Sequence, residues 1–393
     1  MCEMRHDAFR MEFGPYELQD FLDTQKELEA QSMWILNVKG MSADAVANDM
    51  DVLEYISNPT NTIPKDLLED TADNSGLVLN YDIRRSCLRD CAMPSLQKRV
   101  GLWGPGYNWL SKINLAGMLT EAFTGVRGVT KLLLRAEKVS AVLSDSYEYM
   151  PISELLATIS KMEQEFGYAE FMGGSISHDR TYAKFRFPDS AEEITDAYNK
   201  ALRAAGRQSV GKLTPVVEFR SSDTGVEAAR LIPFLEPDAG KYNLIPLLEG
   251  VSVNHQNSAG ITCMEKFQQD AMTLYAQMGS EIQTLIPAML SHDVHYPGNA
   301  VVGICNHLRI PQKWGGLAEE DIRTMYPAGC TFLDLFMGLT EVTSYAVQEG
   351  YSPQSMRIIN LEEGLAKLAK NRHLWSKFDL PGTVNWVAAH SNQ

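Results

Sequence analysis

Between residues 129 and 187 the spacing of apolar positions switches from strand-like to helical and back, which makes this the most legible stretch of the chain. Residues 131–136 and 140–143 are short, apolar runs of the kind that form strands. Ile152, Leu155, Leu156, Ile159, Met162 and Phe166 then recur at helical spacing. Pro151 suits the start of that helix, where a missing N–H costs little, and Gly167 suits its end. From Tyr182 the pattern alternates, with Ala183, Phe185 and Phe187 on one face and Tyr182, Lys184 and Arg186 on the other. That alternation predicts a half-buried antiparallel strand whose outer face is basic and solvated.

The same reading extends along the chain. Ser190-x-x-Glu193 predicts a capping box for a helix with Ile194, Ala197, Tyr198, Ala201, Leu202 and Ala205 on its buried stripe and Gly206 at its end. Residues 215–219, 228–235 and 244–253 read as strands. From about residue 261 the chain turns helical: 264–290 with breaks near Gly279 and Pro287, then 331–349 and 361–374. Towards the start, 16–29 predicts an exposed acidic helix and 42–56 a second helix. The whole predicts an α+β protein with a mixed or antiparallel sheet core at about 129–255 and a mainly helical region over 256–393. Ahead of these lie an acidic extension or small domain over 1–80 and a basic, aromatic-rich connecting segment over 81–128.

Charge sharpens that division. The chain has 393 residues and a net charge of −15. Residues 1–80 carry 5 basic and 16 acidic side chains, whereas 81–128 carry 7 basic and 3 acidic. Overall acidity therefore does not exclude a local site for a polyanion. In the basic segment Arg84, Arg85, Arg89, Lys98 and Arg99 alternate with Trp103, Tyr107 and Trp109. Cations for phosphates and flat rings for bases are what a single-strand nucleic-acid site needs. A surface helix followed by a turn whose tryptophans enter the core uses the same residues. The basic strand face of Lys184 and Arg186 is a second candidate contact. Gly101, Gly104 and Gly106 lack the spacing and the Lys-Ser/Thr pair of a phosphate loop.

Other chemistry is sparse. Two histidines three residues apart, His292 and His295, precede Cys305 and His307, and four such ligands could close a tetrahedral zinc site. No HExxH spacing accompanies them, and a structural zinc is the only cofactor this cluster suggests. The six cysteines are scattered, which suits reduced thiols in a cytoplasm better than a disulfide framework. Cys87 and Cys91 lack CxxC spacing and would be neighbours on a helix. No apolar run reaches the roughly 18–20 residues of a membrane span.

One resemblance emerges from motif order. Residues 142–152, Tyr182 to Pro188, Ser221-Ser222-Asp223-Thr224-Gly225, 331–336 and Leu339-Thr340-Glu341 together resemble the phage/plasmid-like family catalogued as domain of unknown function 932. The likeness spans roughly residues 100–380. Where that family tends to carry a Cys-x-Asn-Gly-like turn, this chain has Val253-Asn254-His255-Gln256-Asn257, the mark of a divergent member. The resemblance implies a mobile-element protein in a bacterial cytoplasm, and brings no catalytic residues. Three functions follow as expectations. The first is a self-associating protein that binds single-stranded nucleic acid. The second is a module that docks a host or phage protein through its acidic first 80 residues. The third is a metal-dependent enzyme at the His/Cys cluster.

Overall fold

A computed structural model describes residues 3–46, 63–102, 104–238, 243–246, 248, 250–256 and 261–386. Its architecture is α+β, as the pattern predicts. Six antiparallel strands form the main sheet, in the spatial order Arg10–Phe13, Glu170–Ser177, Thr181–Arg186, Leu213–Ser221, Ala229–Pro237 and Val251–Val253. On one face Ala183, Phe185, Val217 and Phe219 meet the apolar stripes of the helices Ile152–Phe166, Ala191–Ala204 and Cys263–Leu290 in one continuous core. The opposite face is closed by the helix Met356–Lys370, whose Glu362 reaches Lys184.

The element boundaries show where local pattern suffices. Strands Thr130–Arg135 and Lys138–Ser144 and the helix Ile152–Phe166 fall where their periodicity places them. Gly167 ends that helix at φ +79, and a Cβ there would meet Asp189 Cβ at 2.5 Å. The strand Glu170–Ser177 is not visible in the pattern, because Gly173 and Gly174 interrupt its alternation. A side chain at 174 would meet the Tyr182 carbonyl at 2.6 Å, so the close strand pairing itself excludes one. Cys263–Leu290 is one unbroken helix with Pro287 inside it, started by a Thr262/Glu265 capping box.

Two expectations are corrected. Residues 42–45 form the strand Ser42–Ala45 rather than the start of a helix; most of the rest of the predicted 42–56 helix lies outside the described residues. Ser190 does not cap its helix, because its hydroxyl donates to the Phe166 carbonyl at 2.6 Å instead. Strands within the first 80 residues pair both with later strands and with one another. Arg10–Phe13 pairs with Glu170–Ser177, Ser32–Val38 with Thr130–Arg135, and Ser42–Ala45 with Leu77–Tyr81. The last two pairings build a second core with the helices Met93–Val100 and Lys112–Thr124. No helix among the described residues is long and apolar enough to cross a membrane.

Buried ion pairs tie the N-terminal segment to this second core. Arg89, fully buried, donates to Asp7 Oδ1 at 3.0 Å, to the carbonyls of Met4 and Arg5, and to that of Arg135. Lys138, also fully buried, donates to Asp7 and Asp70. Arg135 donates to Asp223 and to the His178 carbonyl, and so links the small sheet to the large one. Burial raises the Asp223 carboxyl, and the Arg135 guanidinium holds it down in part.

Candidate nucleic-acid cleft

A cleft of about 800 Å³ opens between the main sheet and the three-stranded sheet of Ser32–Val38, Thr130–Arg135 and Lys138–Ser144. Strand register creates its charged floor. Lys184 lies directly across from Glu218, and Arg220 directly across from Arg230. Like charges in such facing positions repel. Glu363, from the helix Met356–Lys370, relieves this by accepting from Arg220 at 3.3 Å and from Arg230 at 3.4 Å. Behind it Lys184 donates to both carboxylate oxygens of Glu362 at 2.9 and 2.8 Å and lies 3.5 Å from Glu218, while Arg220 donates to Glu218. The floor is thus an alternating row of cations and carboxylates that fixes the helix to the sheet.

The opposite wall belongs to the smaller sheet and the helix Met93–Val100. Lys98 is exposed there. Arg99 donates to Thr130 Oγ1 at 3.0 Å and to the carbonyls of Arg127 and Val129 at 2.9 and 3.0 Å. These acceptors are neutral, so they fix the guanidinium without cancelling its charge. Tyr147 stacks on His255, with centroids 4.9 Å apart and 5° between planes, and its hydroxyl donates to the Ser222 carbonyl at 3.3 Å. Six cationic side chains, Arg10, Lys98, Arg99, Arg180, Arg220 and Arg230, line the cleft against three carboxylates, Asp179, Glu227 and Glu363. Ser95, Ser144, Ser175 and Ser177 add hydroxyls to its walls.

The residues singled out from sequence are dispersed by the fold. Lys98 and Arg99 reach the cleft. Arg84 and Arg85 sit on the separate hairpin strand Arg84–Cys87. Arg89 is buried in the Asp7 ion pair and Lys184 in the Glu362 ion pair, so neither offers its charge to a ligand. The solvated face expected for Lys184 is closed by the helix Met356–Lys370. Arg186 is bidentate to Glu236 at 2.6 and 2.8 Å. Tyr107 packs against the second core, Trp109 is 87% exposed, and Trp103 lies outside the described residues. Sequence reasoning passed over Arg180, Arg220 and Arg230, which the hairpins around residues 178–180 and 222–228 bring together. The flanking of the Ser221–Gly225 break by two arginines was their only local trace.

The His/Cys cluster does not assemble. Cys305 and His307 lie two residues apart on the helix Pro297–Leu308, so one faces the core and the other solvent. His292 and His295 flank the short strand Asp293–Val294. The first ring sits edge-on to Phe332 and Trp375, while the second meets Asp379 at 3.2 Å. Among the described residues no group of three His, Cys, Asp or Glu side chains is placed to hold a metal ion. Cys87 ends a strand and Cys91 sits in a 3₁₀ turn, so they are not neighbours on a helix. Burial pushes their thiols up to about 11 and about 12, and that of Cys305 to about 12, which removes them as nucleophiles at neutral pH.

Two histidines near the cleft are held neutral. Burial lowers His178 to about 2 and His255 to about 4, both from an ordinary 6.5. Below pH 6.5 the unfolded chain therefore binds protons that the native state refuses, and stability falls as pH drops. At pH 5 each histidine is expected to cost about 2 kcal/mol relative to pH 7. Urea unfolding at the two pH values measures this. A His178→Gln variant should lose less between them, and equal stability of the wild type at both would contradict the assignment.

Comparison with family models, with curated proteins and with solved structures finds no match to the chain. Roles for residues therefore come from the geometry.

Proposed function

We propose that the protein binds single-stranded nucleic acid in the cleft between these two sheets. The observation that carries this reading is the concentration of six cations against three carboxylates along one groove of a protein whose net charge is −15. Lys98 and Arg99 bring the basic segment to that groove, and neither Lys98 nor Arg99 spends its charge on a carboxylate among the interactions described above. Arginines, lysines and hydroxyls are the usual partners of a phosphate backbone. The aromatic rings that line the cleft, Tyr147 and Tyr182, are buried, so the contacts made there are to phosphates rather than to stacked bases. Weak sequence preference follows. A mobile-element role, which the motif order implies, is part of the same proposal.

Fluorescence anisotropy with a labelled oligothymidylate tests the proposal. Affinity should fall with salt at a log–log slope of about −1.4 to −2.1, the value for two or three phosphates neutralised on a single strand. Lys98→Ala/Arg180→Ala should weaken binding by about tenfold or more and flatten that slope, whereas Arg84→Ala/Arg85→Ala should change neither. Binding that depends on Arg84 and Arg85 and ignores Lys98 and Arg180 would place the site elsewhere.

A further inference from the structure

The turn that joins Leu213–Ser221 to Ala229–Pro237 carries a carboxylate into the cleft's arginines. Glu227 lines the cleft, and the charges that act on it are those of Arg220, Arg180 and Arg230, with Glu363 opposing them. These groups come from every element that faces it: two strands of the sheet, the 178–180 turn and the helix Met356–Lys370. Yet its contact with Arg220 is an ion pair at 3.9 Å, too long for a hydrogen bond. Glu218 and Glu363 differ, since both accept hydrogen bonds from the same guanidinium. The Nε atoms of Arg180 and Arg230 are buried and have no hydrogen-bond partner among the described residues, and the carboxylate beside Arg180 Nε, that of Asp179, stops 3.6 Å away. Burial raises the Glu227 carboxyl despite three arginines around it, which marks a charge that is surrounded but poorly solvated. Two buried donors and a loosely held carboxylate among three guanidiniums describe an anion site whose occupant fits it badly.

We propose that Arg180 and Arg230 form a subsite for one phosphate group of the bound strand, with Arg220 held beneath them by Glu218 and Glu363, and that Glu227 occupies it until the strand displaces it. The proposal rests on the reading of the cleft as a single-strand site. A phosphate has more acceptor oxygens than a carboxylate and suits a fork of guanidiniums. Displacement needs rotation of one long side chain, itself 15% exposed, at the end of a turn whose first residues are buried. It also sets a length threshold. A short ligand must overcome Glu227 with few other contacts, whereas a strand already held at Lys98 and Arg99 brings its next phosphate to Arg180 at high effective concentration.

Glu227→Gln and Glu227→Ala both remove the resident charge, and a thermal melt confirms that each variant is folded. Oligothymidylates of increasing length, read by anisotropy at low salt, form the assay. Both variants should bind about tenfold more tightly than wild type, with the larger gain for the shortest oligonucleotides. Wild-type binding that neither folded variant strengthens would overturn the subsite while leaving the cleft reading intact. Failure of the wild type to bind any length at low salt would overturn the cleft reading, and the subsite with it.

Discussion

Removing residues 1–80 is expected to leave a chain that does not fold. The deletion takes away the edge strand Arg10–Phe13 and the helix Leu18–Ala30, whose Phe21 and Leu28 are buried in the main core. It also takes two of the three strands of one small sheet and one strand of the other. Charge makes matters worse, because Asp7 and Asp70 go while Arg89 and Lys138 remain with no exposure to water. A buried charge stripped of its partner costs about 3–5 kcal/mol. Two such losses rival the roughly 5–15 kcal/mol by which a domain is stable at all. Circular dichroism and size-exclusion chromatography of the truncated chain supply the test. Aggregation or a non-cooperative melt is predicted, and a monodisperse, cooperatively melting product would show that the segment is a separable extension.

Lys184→Met is expected to be the most destabilising single substitution on the sheet face, by about 3–5 kcal/mol. Lys184 is 3% exposed, and Glu362 and Glu218 beside it are fully buried. Arg220 still holds Glu218, but Glu362 loses an ammonium that contacts both its oxygens. Pairing the substitution with Glu362→Gln should recover part of the loss, since a neutral amide is cheaper to bury than a lone carboxylate. Urea denaturation of the single and double variants distinguishes a buried ion pair from a solvated lysine. A change below about 0.5 kcal/mol, typical of surface sites, would contradict the closed face.

These two expectations also mark how far the sequence could be read. The alternation of Thr181–Arg186 is a local property, and so is the helical stripe of Ile152–Phe166; both are visible without knowing what packs against them. What covers Lys184 is not local, because Glu362 lies 178 residues further along. A lysine on an alternating strand looks solvated until that helix arrives. The strand Glu170–Ser177 hides for a different reason: close pairing with Thr181–Arg186 demands glycine where the pattern would have shown an apolar residue. At Ser190 the capping-box residue types are present, but a nearer acceptor, the Phe166 carbonyl, takes the hydroxyl. The candidate site was legible only in part. Lys98 and Arg99 belong to a visible basic run, whereas Arg180, Arg220 and Arg230 become a cluster through hairpin pairing that no run of residues displays. Arg89, from that same basic run, is diverted to the Asp7 carboxylate.

The resulting picture is of a main sheet and a three-stranded sheet joined by Arg135–Asp223 and the Tyr147–His255 stack, with a cation-rich groove between them. Photocrosslinking of an oligonucleotide carrying an azidophenacyl group on a backbone phosphorothioate, followed by mass spectrometry of the peptides, tests the location most directly. The account predicts crosslinks to peptides bearing residues 95–99, 142–147, 175–182 and 225–230, and their loss at high salt. Crosslinks confined to the Arg84–Cys87 hairpin or to the C-terminal helices, with none in the groove, would contradict it.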